Sequence, residues 1–230
     1  MISVIIAAKD AEKWISQTLQ SLLLQSYEDW ECILSINGSK DSTLEICSSI
    51  NDNRFRIITS DTPNKSIALN RAIFESSREF ISILDSDDLW EKDKLKSQID
   101  YFGQSNIDIC GTQMSYIEEN GKQFKEAPFL PLDHDNCVLW LNNYNNPIAN
   151  SSVLYKKSIH NLVGYYDPEK FAVEDYDMWM RSKRAGLKFS NLHQKLMKHR
   201  IHLFSNFNSS EKQVLNKRLV DSIEYFYSTQ

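Results

Sequence analysis

The stretch Phe80-Ile81-Ser82-Ile83-Leu84-Asp85-Ser86-Asp87-Asp88-Leu89-Trp90 decides how the rest of the chain is read. A greasy β-type run stops abruptly at three carboxylates. Runs of Phe, Ile and Leu of this length suit a central strand covered on both faces. In an open α/β sheet the carboxyl ends of such strands are where ligands bind. Three acids in four residues repel one another unless a cation sits among them, and oxygen ligands at this spacing suit Mg²⁺ or Mn²⁺. The alternative is that Asp87 or Asp88 caps a helix beginning near Glu91. From these residues alone both readings stand.

Upstream of the acids the chain alternates strand and helix. Residues 2–8 read as a buried strand, and Asp10 is placed to cap a helix that turns Ile15, Thr18, Leu19 and Leu22 to one face. Residues 30–36 form a second strand ending in Asn37-Gly38-Ser39-Lys40-Asp41, and Ser42-Thr43-Leu44-Glu45 is a capping box. Residues 54–59 form a third strand, and a helix over about 66–76 leads into the strand that ends at Asp85. Four strands with helices between them predict a parallel, doubly wound α/β sheet. Neither Gly-x-Gly-x-x-Gly nor Gly-x-x-x-x-Gly-Lys-Ser/Thr is present, so no glycine-rich loop cradles a phosphate.

Downstream the pattern changes. An apolar strand over 107–117 runs into Asn120-Gly121, the strongest short hairpin signal, and the second half adds antiparallel structure. A helix over about 136–141, a strand over 149–155 and a helix over 174–185 ended by Gly186 follow, with Asp177 and Arg181 as an i, i+4 pair. Residues 188–192 and 197–201 read as two short strands. Ser210-x-x-Gln213 opens a last helix whose Leu215, Leu219, Ile223 and Phe226 share a face.

Composition bounds the answer without deciding it. The 230 residues fit one α/β domain, and 41% hydrophobic with 25% charged residues exclude a disordered or fibrous chain. A net charge of −5 gives no general attraction to nucleic acid. Between Arg181 and Arg218, however, ten Lys/Arg face one acid, Glu211, which leaves peripheral membrane contact open. Cys32, Cys47, Cys110 and Cys137 have no zinc-like spacing and read as reduced, buried thiols. With no signal-like leader and no apolar run of membrane-spanning length, the expected location is cytoplasmic.

Taken together, these pieces resemble the family 2 glycosyltransferases of GT-A fold, which transfer a sugar from a nucleotide donor, usually with inversion. Ile2 through Asp10 looks like the family's first strand and donor-binding turn, and Ser21-Leu22-Leu23-Leu24-Gln25-Ser26-Tyr27 like its helix ending. Asn37 through Thr43 is similar to the family's Asp-Gly-Ser-x-Asp-x-Thr, Asn64 through Arg71 to its Asn-rich helix, and Asp85-Ser86-Asp87 to its Asp-x-Asp motif. Glu174-Asp175 resembles its Glu-Asp helix start, and His199-Arg200-Ile201-His202 its terminal basic segment. The same motifs in the same order cover most of the chain.

The resemblance implies one GT-A domain with a Rossmann-like sheet. About 1–105 would form the nucleotide-sugar half, about 106–205 a smaller antiparallel acceptor-side half, and about 209–228 a C-terminal helix. It implies Asp175 as catalytic base with Glu174 beside it, and donor contacts from Ala7, Asp10, Asn37, Asn64, Arg71, Asp85 and Ser86. It implies Mn²⁺ or Mg²⁺ on Asp87 and His202, with Asp88 as a cap or supporting acceptor. A UDP-sugar is the leading donor, with GDP- and dTDP-sugars open because Asn37 stands where the family commonly has aspartate. The acceptor would be a glycan or lipid-linked oligosaccharide of a bacterial surface polysaccharide, such as O-antigen, capsule or lipooligosaccharide. Arg78 departs from the glycine common before the metal strand. The alternatives weighed are a sugar-phosphate nucleotidyltransferase, which would be expected to carry a glycine-rich loop after the first strand, and a non-catalytic carbohydrate-binding relative.

Overall fold

The structure is a computed structural model, and it describes residues 1–170 and 172–202. The C-terminal helix expected from Ser210 lies outside the described residues. In chain order the strands are β1 (Ile2–Ala8), β2 (Trp30–Asn37), β3 (Phe55–Ser60), β4 (Phe80–Ile83), β5 (Leu89–Trp90), β6 (Ile109–Ile117), β7 (Gln123–Glu126), β8 (Leu154–Lys156) and β9 (Phe189–Arg200). The helices are α1 (Ile15–Leu23), α2 (Thr43–Ser48), α3 (Lys65–Glu75), α4 (Lys94–Gln104), α5 (His134–Asn142), α6 (His160–Val163) and α7 (Glu174–Arg184).

The strands form one sheet in the order β3-β2-β1-β4-β8-β6-β9-β5, with β7 also on β6. β3, β2, β1 and β4 are parallel, and β8 then joins β4 in antiparallel register, with Ile81 opposite Tyr155. The parallel half is the doubly wound unit expected from the alternation of strands and helices. Side chains of β1 alternate between two cores, as a strand period of two requires. Ile5 packs with Leu69, Ala72 and Ile73 of α3 and with Met178 and Trp179 of α7. Val4 and Ile6 pack with Ile15, Leu19 and Leu22 of α1 and Leu95 of α4. Buried on both sides, β1 and β4 carry their C-terminal ends to the rim of the sheet. All four cysteines are buried and free, and burial pushes the Cys110 and Cys137 thiols up to about 12.

Several local expectations change. The hairpin at Asn120-Gly121 forms, with Gly121 at φ +86, but Asp10 does not cap α1, whose N-terminus at Trp14 has no side-chain cap. Asp10 itself adopts φ +49, and its Oδ1 accepts the Lys40 N–H at 2.8 Å, so it ties two loops together instead. Ser42 makes no capping bond at α2 either; Asp41 Oδ1 accepts from Thr43 N at 3.0 Å in its place. The helix after the acids begins at Lys94 rather than near Glu91, because Leu89 and Trp90 first pair with β9. Its N-terminus is served from a distance: Gln25 Oε1 accepts from Leu95 N at 3.1 Å. Residues 149–155 divide into a 3₁₀ turn, Asn150–Ser152, and the short β8. The two short strands expected over 188–201 are one strand, β9, whose register against β6 shifts near Thr112 to Met114. Such an irregularity bends a long strand, and it interrupts the alternation by which sequence would reveal it.

Candidate active site

The C-terminal ends of β1, β2 and β4 open into a cavity of ≈ 630 Å³, closed on its other side by the start of α7 and the 144–151 segment. Ala7, Asn37, Asp85, Ser86, Asp87, Glu174 and Asp175 all line it. The cavity therefore gathers residues spread over the chain from β1 to α7.

On the β1–β2 side, two loops are clasped together. Asp10 N donates to Ser39 Oγ at 3.1 Å, Ala11 N to Thr43 Oγ1 at 2.8 Å and Glu12 N to Asp41 Oδ2 at 3.0 Å, while Glu12 Oε2 accepts from Ser42 N at 3.0 Å. Burial alone would raise the Asp41 pKa, but bonds from Thr43 and neighbouring backbone N–H groups hold it below its ordinary value. Asp10 thus belongs to the frame of the site, not to the cavity wall. Asn37, at the end of β2, is 4% exposed, and its Oδ1 has no hydrogen-bond partner among the described residues. Gly38 follows at φ +70, where an added Cβ would approach Asp61 O to 3.2 Å.

The three acids after β4 take three different environments. Asp85 Oδ1 pairs with Lys65 Nζ at 2.8 Å, and its backbone N–H donates to Ser151 Oγ at 3.0 Å. Asp87 Oδ2 meets His202 Nε2 at 2.9 Å, and the imidazole stacks on Trp14 with ring centroids 4.0 Å apart. Asp88 is fully buried and does not cap a helix; its Oδ1 meets His199 Nδ1 at 3.1 Å and accepts from Arg200 N at 2.9 Å. Although burial works against the charge on His199, the Asp88 carboxylate raises its pKa above the ordinary value. Asp88 therefore ties the acid turn to β9.

Arg200 completes that tie. Its buried guanidinium donates to Asp87 O at 2.7 Å, Glu118 O at 3.1 Å, Glu119 O at 2.6 Å and Gln17 Oε1 at 2.9 Å. One side chain thus joins the acid turn, the β6–β7 hairpin and α1. The planar fork of a guanidinium suits this task.

Across the cavity, α7 begins with Glu174, Asp175 and Asp177 and ends with Arg181, Lys183 and Arg184, the order that the helix macrodipole favours. Asp175 Oδ2 accepts from Asn146 Nδ2 at 2.7 Å, and its Oδ1 accepts from its neighbour Tyr176 N at 2.8 Å. Glu174 is 6% exposed and lies 3.5 Å from Lys65 Nζ. Burial disfavours the ammonium of Lys65, yet Asp85 and Glu174 outweigh it and hold its pKa well above the lysine value. Asp177 pairs with Arg181 at 2.7 Å away from the cavity wall, a structural bond as its spacing predicts.

Two residues expected to contact the donor act on the scaffold. Asn64 caps α3 by accepting from Ile67 N at 3.0 Å and reaches Pro168 O at 3.1 Å through Nδ2. Arg71 is exposed and donates to Thr59 O. Neither belongs to the cavity wall. Conversely, Lys65, Asn146, Asn150 and Arg200 have no individual role in the sequence reading, although Arg200 lies within its terminal basic segment. Lys65 next to the Asn-rich helix start and Arg200 between two histidines were the available signals; Asn146 and Asn150 lie in an Asn-rich loop with no spacing to mark them.

Comparison with known proteins assigns this architecture. The chain superposes on Staphylococcus aureus TarS 1–349 in complex with UDP-GlcNAc, with a TM-score of 0.74 at 22% identity over 91% of this chain and 61% of that one. A mannosyltransferase from Pyrobaculum calidifontis, in complex with GDP-Man and Mn²⁺, matches with a TM-score of 0.68 at 13% identity over 89% and 58% of the two chains. The fold is thus of the GT-A type, and the chain spans only about three fifths of either solved structure. Residues 3–164 match Glycosyl transferase family 2, and the chain belongs to that family of glycosyltransferases. Among curated relatives, the O-antigen biosynthesis glycosyltransferase WbnJ of Escherichia coli is 32% identical over 210 residues, 88% of this chain and 80% of that one.

Proposed function

We propose that this chain is an inverting glycosyltransferase that moves a sugar from a nucleoside-diphosphate donor to a hydroxyl of a glycan or lipid-linked glycan, in the building of a bacterial surface polysaccharide. The observation that carries this is the opposition, across one cavity, of Asp85 and Asp87 at the end of β4 to Glu174 and Asp175 at the start of α7. The role of its relative WbnJ in O-antigen biosynthesis supports the acceptor class. In this reading residues 1–105 hold the donor and 106–205 the acceptor.

Asn37 supports a choice of base. Its unpartnered buried Oδ1 calls for an N–H donor, which the ring of uracil, thymine or guanine supplies and the ring nitrogens of adenine and cytosine at that edge do not. A UDP-sugar leads, in keeping with UDP-GlcNAc on TarS, with GDP- and dTDP-sugars next. Ala7 lines the wall beside the base, and Asp85 and Ser86 follow toward the ribose and diphosphate.

Among the described residues no three His, Cys, Asp or Glu side chains form a metal-binding group by themselves. Asp87 and His202 nevertheless fit a shared cation: their oxygen and nitrogen stand 2.9 Å apart, and a carboxylate with an imidazole suits Mn²⁺, and the carboxylate Mg²⁺. Donor phosphates and water would supply the other positions. A divalent cation bound there lends Lewis-acid stabilisation to the charge developing on the departing diphosphate.

The chain's own part is to orient and deprotonate. Asn146 holds the Asp175 carboxylate, which takes the proton of the acceptor hydroxyl as that oxygen bonds to the anomeric carbon. The bond from that carbon to the diphosphate oxygen breaks, and the nucleoside diphosphate leaves with its electron pair. Attack from the side opposite the leaving group inverts the anomeric centre. Glu174 and Lys65 position the reacting groups between the two halves. A lipid-linked acceptor, with the basic run from Arg181 to Arg218, supports a cytoplasmic enzyme seated peripherally at the inner membrane face. Among the described residues no helix is long and apolar enough to cross a membrane.

Calorimetry of the folded protein with Mn²⁺ against UDP-, GDP- and dTDP-sugars tests the proposal. Binding of one nucleotide class is expected; binding of none overturns it.

A further inference from the structure

Asn150 stands in the 3₁₀ turn before β8, is 7% exposed and lines the cavity between the β4 acids and the start of α7. Its Oδ1 accepts from the Tyr166 hydroxyl at 3.2 Å, but its Nδ2 is buried and has no hydrogen-bond partner among the described residues. Buried side-chain N–H groups in native proteins are nearly always satisfied, and an unmet one is destabilising. A donor kept in that condition on the wall of a binding cavity is set for a ligand.

The surroundings hold it there. Ser151, the next residue, accepts the Asp85 N–H at its Oγ and the Trp90 Nε1–H at its carbonyl, at 3.0 and 2.7 Å, so the turn is fastened to the acid loop on both sides. Tyr166 is fastened too: Asn70 Oδ1 accepts from Tyr166 N at 2.9 Å, and Asn70 Nδ2 donates to Tyr166 O at 2.7 Å. Asn70, which lies on α3 within the Asn64 to Arg71 stretch, therefore acts through two residues, Tyr166 and Asn150, on the cavity wall.

We infer that Asn150 is a specificity residue for the transferred sugar, its Nδ2 donating to a hydroxyl or N-acetyl carbonyl oxygen on the glycosyl ring of a neutral-sugar donor, with Tyr166 as the residue that positions the amide. The ring is favoured over the base because Asn150 adjoins Asp85 and not the β2 end where Asn37 lies. A neutral sugar is favoured over a uronate because Asp85, Glu174 and Asp175 line this wall while Lys65 is already paired with Asp85 and Glu174, so a ring carboxylate there would meet carboxylates and find that lysine committed.

The inference rests on the proposed nucleotide-sugar function, and paired binding measurements separate the two. Wild type is titrated, with Mn²⁺, with UDP-GlcNAc, UDP-glucose, UDP-glucuronate and GDP-mannose, and with free UDP and GDP. For the neutral donor it binds, Asn150→Ala is expected to weaken the nucleotide sugar about five- to tenfold, the worth of one hydrogen bond, and to leave the free diphosphate within about twofold. Tyr166→Phe should shift binding in the same direction by less. Asn150→Asp, which retains an oxygen for Tyr166 but loses the donor, should weaken the sugar at least as much as alanine, and it serves if the alanine variant does not fold. Equal weakening of sugar and free diphosphate, or none, overturns the inference alone. So does an Asn150→Asp protein that binds the donor as well as wild type, or a wild-type preference for the glucuronate. A folded wild type that binds no nucleotide sugar overturns the function and this inference together.

Discussion

Replacing Asp175 by Asn separates catalysis from architecture more sharply than any other single change. The side chain keeps its size but loses the ability to take a proton. Asp175 accepts from Asn146 Nδ2 at 2.7 Å and from Tyr176 N at 2.8 Å. An amide has one oxygen for these two donors, so one bond fails and its amide nitrogen faces an N–H. That costs about 0.5–1.5 kcal/mol of folding stability, read as a small drop in the urea midpoint. The chemical cost is larger. A general base contributes about 10²–10⁴-fold, which is about 2.7–5.4 kcal/mol of barrier. Turnover, followed as release of nucleoside diphosphate in the presence of acceptor, should therefore fall by at least a hundredfold while donor affinity stays within about twofold. A variant that retains more than a tenth of wild-type turnover refutes the assignment of the base. One that loses turnover and donor affinity together shows a damaged cavity rather than a missing base.

Three other substitutions test the frame around the site. Arg200→Lys offers one small head group where the guanidinium meets four oxygens, so stability should fall by about 1–3 kcal/mol in urea unfolding; an unchanged midpoint means that the tie between the acid turn and β9 is unimportant. Gly111→Ala places a methyl group on Asn191 Oδ1 and near Ile148, and Asn191 cannot yield because its Nδ2 is bonded to Pro131 O and Pro147 O; overpacking should cost about 1–3 kcal/mol, and a neutral thermal melt would contradict this packing. Lys94 is buried, bonded to Gln98 Oε1 at 2.7 Å and set over the Trp90 ring at 3.8 Å, and burial pushes its pKa well below the ordinary lysine value. The unfolded chain takes up this proton below about pH 10.4 and the folded protein resists it, so the stability linked to Lys94 is present above that pH and is lost as pH falls. The unfolding free energy of wild type minus that of Lys94→Met should accordingly rise between pH 7 and pH 9.5; a difference independent of pH contradicts a depressed Lys94.

Residues with local signatures were legible, and residues with only tertiary ones were not. The apolar runs of β1, β2 and β4 announce a sheet covered on both faces, and Asn120-Gly121 announces its hairpin. Asp87 and Glu174-Asp175 could be placed because each lies at an element boundary, where a carboxylate stands out. Asp10 and Ser42 have the composition of helix caps, yet both serve the clasp between the β1 and β2 loops, because a partner some 30 positions away competes with the local bond. β9 read as two strands because its bulge breaks the period. Lys65 sits on the first turn of α3 like any solvated lysine; only the fold brings Asp85 and Glu174 to it. The same holds for Asn146, Asn150 and Arg200, whose partners are set by topology. Arg71, the basic residue beside the motif asparagine, faces outward instead.

The central claim is that the cavity has two sides with separate tasks, a donor and cation side at Asp87, which His202 backs from behind the wall, and a base side at Asp175. A titration of Mn²⁺ followed by electron paramagnetic resonance, with saturating nucleotide sugar, compares wild type, Asp87→Asn and Asp175→Asn. Wild type and Asp175→Asn should remove Mn²⁺ from solution with the same affinity, and Asp87→Asn should weaken it at least tenfold. Equal Mn²⁺ binding by Asp87→Asn and wild type, or equal weakening by both variants, would contradict the division of the site.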